Sequence, residues 1–280
     1  MTRVAYQGEP GAFGEEAVIA YFGDRVTPAP MPTFSAVCAA VESGAADAGV
    51  LPLENSLAGT VGDALDALAN GSLRVVGELL LPIRHHLLVM PGVALEEVER
   101  VSSHWQAIAQ CERFLDGRGW QVVPAADTAG AARGLAEDAN RRASAIASSR
   151  AADRYGLEIA VADIQDSEHN VTRFAVLALS AGAAFARGAR VSRGSRETLI
   201  TFETGHRPGD LVRVLSVLAG AGINLSRIES RPSGDGPWRY RFLVQVAGDE
   251  ELDPLRAALA AMREHTRSMR VLGSFDAGAD

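Results

Sequence analysis

A regular alternation of strand-like and helix-like segments over residues 1–180 limits the fold of this chain more than any other feature. The strand-like stretch RVAYQG leads into a helix predicted around Phe13 to Tyr21. The stretch TFSAVCAAVESGA then repeats apolar residues at helical spacing from Phe34 to Val41, which predicts a helix with one buried face. Alternation of this kind predicts an α/β fold, with a mainly parallel sheet covered by helices.

The alternation occurs in two sets. The first set passes through the strand-like DAGVLPLEN to the long apolar segment LRVVGELLLPIRHHLLVMP, and the second begins at VERVSSH. The second set includes one helix predicted over WQAIAQCERFLDG and is followed by NVTRFAVLAL at residues 170–179. Two sets predict two lobes, with the chain returning to the first lobe near residue 165.

The pattern changes after residue 180. Residues 181–196 combine small residues, glycines and arginines without apolar periodicity, which predicts a linker. Residues 197–275 follow the order strand, helix, strand, strand, helix, strand, which is the ferredoxin-like βαββαβ unit. We therefore expect a two-lobed domain over residues 1–180 and a second domain over residues 197–275.

Composition excludes several classes of function. The formal net charge of −8 does not suit a protein that binds nucleic acid or an anionic membrane surface. All 27 basic residues are arginine. A lysine Schiff base to pyridoxal phosphate and a lysine-containing phosphate-binding loop are therefore both excluded.

Sequence signals of secretion, membrane insertion and metal binding are also missing. The chain opens without the apolar core of a signal peptide and has no apolar run near the ~18 residues of a membrane span, so we expect a cytoplasmic protein. Neither the histidines nor the two cysteines have the spacing of a metal site. We expect no metal and no organic cofactor, and we interpret the adjacent His85 and His86 as structural.

Polar residues cluster where predicted strands give way to helices. Glu54, Asn55 and Ser56 follow one strand, Ser103 and His104 follow another, and three glycines of YQGEPGAFGEEA follow the first. Ligands of open α/β sheets bind at the carboxyl ends of strands, so three such junctions predict a ligand site. Each junction taken alone also fits a helix cap or a tight turn.

The segment NVTRFAVLAL has a polar entrance to an apolar strand. Six apolar residues from Phe174 to Leu179 predict a buried strand, yet Asn170, Thr172 and Arg173 precede them. In a strand, Thr172 and Phe174 share one face and Arg173 points to the other. A hydroxyl beside an aromatic ring suits a small cyclic substrate, although these residues alone are also ordinary in a strand.

Seven motifs, in family order and over nearly the full length, resemble prephenate dehydratase with a C-terminal ACT regulatory domain. They are YQGEPGAFGEEA, LPLENSLAGT, SHWQAIAQC, DTAGAA, AIASSRAADRYGL, NVTRF and INLSRIESRP. The resemblance implies a two-lobed catalytic domain like a periplasmic binding protein, followed by the ACT domain. It also implies conversion of the substrate prephenate to phenylpyruvate, with loss of carbon dioxide and the ring hydroxyl and without a cofactor.

The resemblance assigns roles to residues of this sequence. It implies that Thr172, in the TRF motif, is essential for catalysis, and Glu54 is the alternative proton donor. The other catalytic candidates are Asn55, Ser103 and Gln110, and the candidates for substrate binding are Ser56, Asn170, Arg173 and Phe174. Strand parity nevertheless directs Arg173 away from Thr172, which favours a structural or cleft-edge role.

The ACT resemblance implies regulation by the effector L-phenylalanine and a homodimer or homotetramer, because ACT domains generally pair. The candidates for phenylalanine binding are Gly222, Ile223, Asn224, Leu225, Glu229, Ser230, Arg231 and Pro232. Two departures from the family pattern bear on these expectations. Trp105 replaces a common proline beside the cleft, and Asp210 lies where the ACT helix commonly opens with GAL.

Two alternatives to prephenate dehydratase stay open on the sequence. Arogenate dehydratase differs only in an amino group on the side chain of its substrate, and the sequence does not separate the two substrates. A non-catalytic amino-acid sensor would combine a binding-protein-like module with an ACT domain and would bind its ligand without turnover.

Overall fold

The computed structural model describes residues 1–180, 193–234 and 236–278 and arranges their strands in three sheets. Residues 181–192, most of the predicted linker, lie outside the described residues. Strand β12 (Arg193–Glu203) already begins inside the range predicted as linker. Among the described residues, no helix has both the length and the apolar character needed to cross a membrane.

The first lobe contains a six-stranded sheet covered by three helices. Its strands are β1 (Thr2–Gln7), β2 (Val26–Met31), β3 (Ala48–Asn55), β4 (Gly59–Thr60), β5 (Arg74–Pro82) and β11 (Val171–Ala178), in the order β2-β1-β3-β11-β5 with β4 paired to β3. The helices are α1 (Phe13–Phe22), α2 (Phe34–Glu42) and α3 (Gly62–Asn70). The chain thus returns to the first lobe through β11, as the sequence predicted.

The second lobe contains a five-stranded sheet in the order β10-β6-β9-β7-β8. Its strands are β6 (His86–Val89), β7 (Arg100–His104), β8 (Gln121–Ala125), β9 (Ala143–Ala147) and β10 (Glu158–Val161). Its helices are α4 (Trp105–Ala109), α5 (Glu112–Leu115), α6 (Thr128–Asp138) and α7 (Ser149–Tyr155), and a 3₁₀ turn spans Leu95–Glu97.

The prediction of mainly parallel sheets is wrong, because both sheets are mixed. In the first lobe, β1 is parallel to β2 and β3, whereas β11 is antiparallel to β3 and β5. In the second lobe, β6 is antiparallel to both β9 and β10. Since β6 and β11 each enter their sheet from the other lobe, no helical crossover within the lobe forces them to run parallel.

The single helix predicted over WQAIAQCERFLDG is interrupted between α4 and α5. The backbone oxygen of Gln110 accepts the N–H of Asp166 at 2.7 Å, and the carboxylate of Asp166 accepts the N–H of Arg113 at 3.2 Å. These bonds to the chain returning from the second lobe replace bonds that would continue the helix. The break brings the side chain of Gln110 to the boundary between the lobes.

The C-terminal domain has the βαββαβ order that the sequence predicted. After β12 it consists of α8 (Asp210–Gly220), β13 (Leu225–Pro232), β14 (Tyr240–Ala247), α9 (Leu255–Glu264) and β15 (Ser268–Gly278), with the sheet order β13-β14-β12-β15. Its helices bury Val214, Leu218, Leu259 and Met262 against the sheet.

The sheet of the C-terminal domain packs against the first lobe. Leu272 and Phe275 belong to the same buried cluster as Leu65 and Leu68 of α3. Gly273 makes this close approach possible, because a Cβ atom at that position would lie 2.1 Å from the carbonyl oxygen of Val75. The C-terminal domain is therefore docked on the lobe that carries Thr172.

Candidate active site

Two crossing segments join the lobes and lie side by side. One consists of residues 83–85, between β5 and β6, and the other of residues 162–170, between β10 and β11. Backbone hydrogen bonds connect them, from Ile83 N to Asn170 O at 2.7 Å and from Ile164 N to His85 O at 2.8 Å. These bonds hold His85 and Asn170 at the floor of the boundary between the lobes.

A cleft of about 480 Å³ opens between the lobes at this place. Its volume falls in the range of about 300–1,000 Å³ that is typical of sites for small molecules. The first lobe contributes chiefly the ends of β1 and β3, the start of α1 and the start of β11. The second lobe contributes the regions around α4 and the start of α6. The polar side chains of the lining are Gln7, Asn55, Thr60, His85, His104, Gln106, Gln110, Asp127, Thr128 and Thr172.

Asn55, the last residue of β3, is held in one orientation. Its Oδ1 atom accepts the N–H groups of Leu57 and Ala58 at 3.0 and 2.9 Å, which fixes the turn after the strand. Its Nδ2 atom therefore faces the other way and donates to Asn170 Oδ1 at 2.8 Å and to Thr172 Oγ1 at 2.9 Å. The sequence placed Asn55 and Thr172 on separate strands, and the antiparallel pairing of β3 with β11 sets them directly opposite each other.

Thr172 is buried and contributes its hydroxyl to the wall of the cleft. Since Asn55 donates to its oxygen, the hydroxyl proton is left for another acceptor, and no acceptor lies within reach in the described part of the chain. Phe174 lies two residues further along β11 and also lines the cleft, so the predicted shared face of Thr172 and Phe174 is present. The site thus offers a hydroxyl donor beside an aromatic surface.

Gln110 joins this network from the second lobe. Its Oε1 atom accepts from Asn170 Nδ2 at 2.8 Å and lies 3.0 Å from His85 Nε2. An amide oxygen only accepts, so this contact requires a proton on Nε2 of His85. Burial lowers the pKa of His85, and the hydrogen bond with Gln110 opposes this effect. His85 is therefore a neutral donor, and His85, Gln110, Asn170, Asn55 and Thr172 form one chain of hydrogen bonds across the cleft.

Two of the predicted serines lie outside the lining of the cleft. Ser103 is fully buried, and its hydroxyl donates to the backbone oxygen of Ile146 at 2.6 Å. Ser56 is exposed, and its hydroxyl donates to His169 O at 2.6 Å and accepts from Val171 N at 3.0 Å. Ser56 therefore binds the backbone at the end of the crossing segment 162–170, whereas Ser103 links β7 to β9 in the second lobe.

Glu54 and Arg173 lie together on the side of the sheet opposite the cleft. The guanidinium of Arg173 binds Glu78 at 2.9 Å and lies 3.6 Å from Glu54, and Glu54 is also 3.4 Å from the buried Arg227 of β13. Arg173 points away from Thr172, as strand parity predicted. These charged residues connect the first lobe to the C-terminal domain.

Several residues of the lining were not among the predicted site residues. His104, Gln106 and Asp127 come from motifs at strand ends, so polar residues at such junctions were the available signal. Burial lowers the pKa of His104, and the charge of Asp127 acts in the opposite direction. His85 had no such signal, because alternation within a strand does not say which of two adjacent histidines reaches a cleft.

A second set of contacts fixes the lobes to each other at the glycine loop before α1. Glu15 accepts the N–H of Gly11 at 2.5 Å and binds Arg150 of the second lobe at 2.6 Å. The hydroxyl of Ser148 donates to Gly11 O at 2.8 Å. Burial acts to raise the pKa of Glu15, but the bonds from Arg150 and Gly11 outweigh it and hold the pKa below its usual value. These bonds hold the two lobes together at this loop.

Strand β13 of the C-terminal domain contacts the first lobe beside the cleft. Its alternate residues Arg227, Glu229 and Arg231 face that lobe. The hydroxyl of Thr60, which lines the cleft, donates to Glu229, and Arg231 binds Asp66 of α3 at 2.6 Å. The other predicted phenylalanine-binding residues lie elsewhere: Ser230 and Pro232 are exposed on the opposite face of β13, and Gly222, Ile223, Asn224 and Leu225 form the turn from α8 into β13.

The two departures from the family pattern have defined surroundings. Trp105 is 63% exposed and packs beside His104 without lining the cleft. The carboxylate of Asp210 accepts the backbone N–H of Arg207 at 2.8 Å and pairs with Arg213. Asp210 therefore stabilises the first turn of α8.

Comparison with known proteins identifies both domains. The prephenate dehydratase family model matches residues 4–181, and the ACT domain model matches residues 198–264. Arogenate dehydratase 1 of Petunia hybrida is 40% identical over 290 residues, which cover 98% of this chain and 66% of the relative. The bifunctional chorismate mutase/prephenate dehydratase of Aquifex aeolicus is 38% identical over 275 residues, with 98% and 73% of the two chains covered. This chain therefore spans about two thirds to three quarters of the length of these relatives.

Solved structures agree with this result. Prephenate dehydratase from Arthrobacter aurescens in complex with L-Phe superposes with a TM-score of 0.88 at 33% identity, over 98% of this chain and 90% of that one. A chain described as a novel type of quorum-quenching acylase, GqqA, also gives a TM-score of 0.88 at 33% identity, over 99% and 98% of the two chains. The chain belongs to the prephenate dehydratase family of hydro-lyases, with a periplasmic-binding-protein-like domain followed by an ACT domain.

Proposed function

We propose that this protein is a prephenate dehydratase that converts prephenate to phenylpyruvate, carbon dioxide and water. The observation that chiefly supports the proposal is the state of Thr172. Its oxygen accepts from Asn55, so its proton is available to a ligand in a cleft of suitable size for a small cyclic acid.

In this reaction the bond between the ring and its carboxylate breaks, and the electron pair enters the ring. The bond from the ring to the hydroxyl oxygen breaks at the opposite position, and that oxygen takes up a proton and leaves as water. We assign to Thr172 the hydrogen bond to the departing oxygen. A fixed donor at a place where negative charge develops can lower a barrier by several kcal/mol, and formation of the aromatic ring supplies the driving force.

We assign the substrate carboxylates to amide and backbone N–H groups. No arginine side chain of the described residues lines the cleft, whereas the first turns of α1 and α6 do so through Gly14 and Thr128. The N-terminal ends of helices favour anions. The Nε2 group of Gln110 has no partner in the described chain and adds a side-chain donor.

The test is turnover by the purified protein and by two matched variants. We expect phenylpyruvate from prephenate, and we expect Thr172→Val to reduce kcat by ~10²–10⁴ because the donor is lost. Thr201→Val is the control, since Thr201 is also a buried strand threonine, lies in the C-terminal domain away from the cleft, and has no hydrogen-bond partner for its hydroxyl among the described residues. A folded Thr172→Val protein with full activity would refute the role of Thr172, and no turnover by the wild type would refute the function.

Arogenate is a second candidate substrate, and Asp127 favours it. Apart from two histidines, Asp127 is the only ionisable side chain among the described residues of the lining. Arogenate carries an ammonium group where prephenate carries a keto oxygen, and a carboxylate attracts the former. Asp127→Asn keeps the bond that Asp127 accepts from Gly130 N at 2.6 Å. We expect this variant to lose kcat/KM for arogenate and to keep it for prephenate.

We further propose that L-phenylalanine binds the ACT domain and inhibits the enzyme. In the turn from Gly222 to Leu225 the N–H groups of Gly222 and Ile223 are bonded to the last turn of α8, so the turn offers the carbonyl oxygens of these two residues to the ammonium group of an amino acid. Glu229 and Arg231 connect the strand that follows to the first lobe. Binding can inhibit only if it favours one arrangement of the domains, and typical couplings are ~1–3 kcal/mol. Calorimetry that finds no phenylalanine binding would refute this part.

A homodimer or homotetramer completes the proposal. Strand β13 is at the edge of its sheet, and Ile228 on the face away from the first lobe is 42% exposed, so we expect a second copy to pair at this strand. Light scattering on the purified protein, with and without phenylalanine, measures the oligomer directly. A monomer at all concentrations would contradict this expectation.

A further inference from the structure

His85 lies where it can control the orientation of the Gln110 amide. The residue is 3% exposed, and its ring packs edge to face against Phe13 at 5.5 Å and borders the cleft. Its Nε2–H donates to Gln110 Oε1 at 3.0 Å, and its backbone N–H is held by Gln165 at 2.9 Å. Burial and the adjacent His86 both act to lower the pKa of His85.

We propose that His85 is a positioning residue that keeps the NH₂ group of Gln110 directed at the substrate; this inference rests on the proposed dehydratase activity. Gln110 Oε1 receives two donors, His85 Nε2–H and Asn170 Nδ2–H. With both present, rotating the amide by half a turn would set its NH₂ group against two N–H groups. Loss of the histidine donor removes one of the two hydrogen bonds that fix the orientation of the Gln110 amide.

The surroundings of the Nδ1 atom of His85 indicate that this residue positions Gln110 and does not act as an acid. This atom has no hydrogen-bond partner in the described structure and is shielded from the cleft. The Nε2 proton is engaged with Gln110 and remains there whether or not the ring takes up a second proton. His85 therefore has no proton directed at the substrate and acts through Gln110.

A pair of amide variants tests the position of the donor. The Nε2 atom of glutamine occupies the place of histidine Nε2, whereas the Nδ2 atom of asparagine occupies the place of Nδ1. A displacement of about 1 Å near a reacting group can cost about 10²-fold in rate. We expect His85→Asn to reduce kcat/KM about 10–10²-fold, mainly through KM, and His85→Gln to restore most of it.

Three controls make the result decisive. His86→Asn changes the adjacent buried histidine, whose Nδ1 accepts Asp163 N at 3.1 Å outside the network; asparagine Oδ1 can take the place of Nδ1, so this variant should leave kcat/KM unchanged. His85→Asn should have no further effect in a Gln110→Leu background, because the two residues act as a unit. Thermal melting of each variant separates loss of folded protein from loss of orientation.

The outcomes distinguish this inference from the proposed function. Wild-type turnover with equal kcat/KM in His85→Asn and His85→Gln would refute positioning while the function stands. Additive effects of His85→Asn and Gln110→Leu would also refute it. If His85→Gln removes the acid limb of the pH profile of kcat, His85 transfers a proton itself and the inference is wrong. Absence of wild-type turnover on both prephenate and arogenate would refute the function instead.

Discussion

Replacing Asn55 by aspartate should abolish catalysis while keeping the local fold. In the wild type, Oδ1 of Asn55 accepts from Leu57 N and Ala58 N, and an aspartate oxygen can do the same. Its Nδ2 donates to Asn170 and Thr172, and an aspartate has only acceptors there. The hydroxyl of Thr172 would then turn its proton toward the new carboxylate and lose it as a donor to the substrate.

The structure sets the size of both effects. Two hydrogen bonds of about 0.5–1.5 kcal/mol each are lost or reversed, so stability should fall by about 1–3 kcal/mol. Loss of a positioned donor costs about 10²–10⁴ in kcat. Protonation of the aspartate restores one donor, so the residual activity should rise as the pH falls toward the ordinary aspartate pKa of about 3.9.

Initial rates with prephenate between pH 5 and 8, together with thermal melting, measure these effects. Asn140→Asp is the matched control, because Asn140 is exposed and its Oδ1 accepts Arg142 N at 2.9 Å in a similar turn. The control adds the same charge far from Thr172 and should keep full activity. If Asn55→Asp keeps more than about a tenth of the wild-type kcat, Thr172 does not need the hydrogen bond from Asn55 to act as a donor, and the reasoning is refuted.

The remaining predictions concern the contacts around the site. Glu15→Gln should lower the melting temperature at neutral pH, and the difference from wild type should shrink as the pH falls below about 4.3. The pKa of Glu15 is depressed, so its stabilisation is full above the unfolded pKa and is lost as the pH falls through the lower, folded pKa. Glu16→Gln should not lower it, since burial raises the pKa of Glu16. Gly273→Ala should destabilise by about 1–3 kcal/mol through the clash with Val75, whereas Gly220→Ala, with open space around it, should not destabilise. Glu229→Leu should weaken inhibition by phenylalanine more than it weakens phenylalanine binding measured by calorimetry, because it removes the oxygen that accepts from Thr60 of the cleft.

Local sequence patterns predicted those features that depend on neighbours in the chain. Apolar spacing gave the βαββαβ order, and the period of two along a strand placed Thr172 and Phe174 on one face and Arg173 on the other. Sheet direction could not be predicted in this way, because the pairing of β11 depends on a chain that returns from the other lobe. The break at Gln110 has the same origin, a hydrogen bond from the distant Asp166.

The hydrogen-bond network was beyond prediction for a related reason. Asn55, Gln110 and Asn170 are separated by 55 or more positions, and each carries an amide whose orientation is set only when the lobes meet. Ser103 and Glu54 illustrate the opposite case, because their polar groups at strand ends bind a backbone oxygen and a guanidinium. A position at a strand end thus predicts that a residue lies near the cleft. Whether its polar side chain faces the cleft depends on the hydrogen-bond or ion-pair partner that the folded chain provides.

The electrostatics of the cleft suit a decarboxylation. A guanidinium bound to the leaving carboxylate would stabilise the substrate, where the charge is localised, more than the transition state, where it has moved into the ring. In this chain all cations are arginine, yet none of the described arginine side chains lines the cleft, and Arg173 and Arg227 pair with Glu54 and Glu78 behind it. Neutral amide and backbone donors hold a carboxylate more weakly, and the Thr172 hydroxyl, whose proton has no acceptor among the described residues, lies with the aromatic surface of Phe174. In the proposed reaction, the cleft therefore stabilises only weakly the negative charge of the carboxylate that is lost. It stabilises more strongly the negative charge that develops on the departing oxygen beside Thr172.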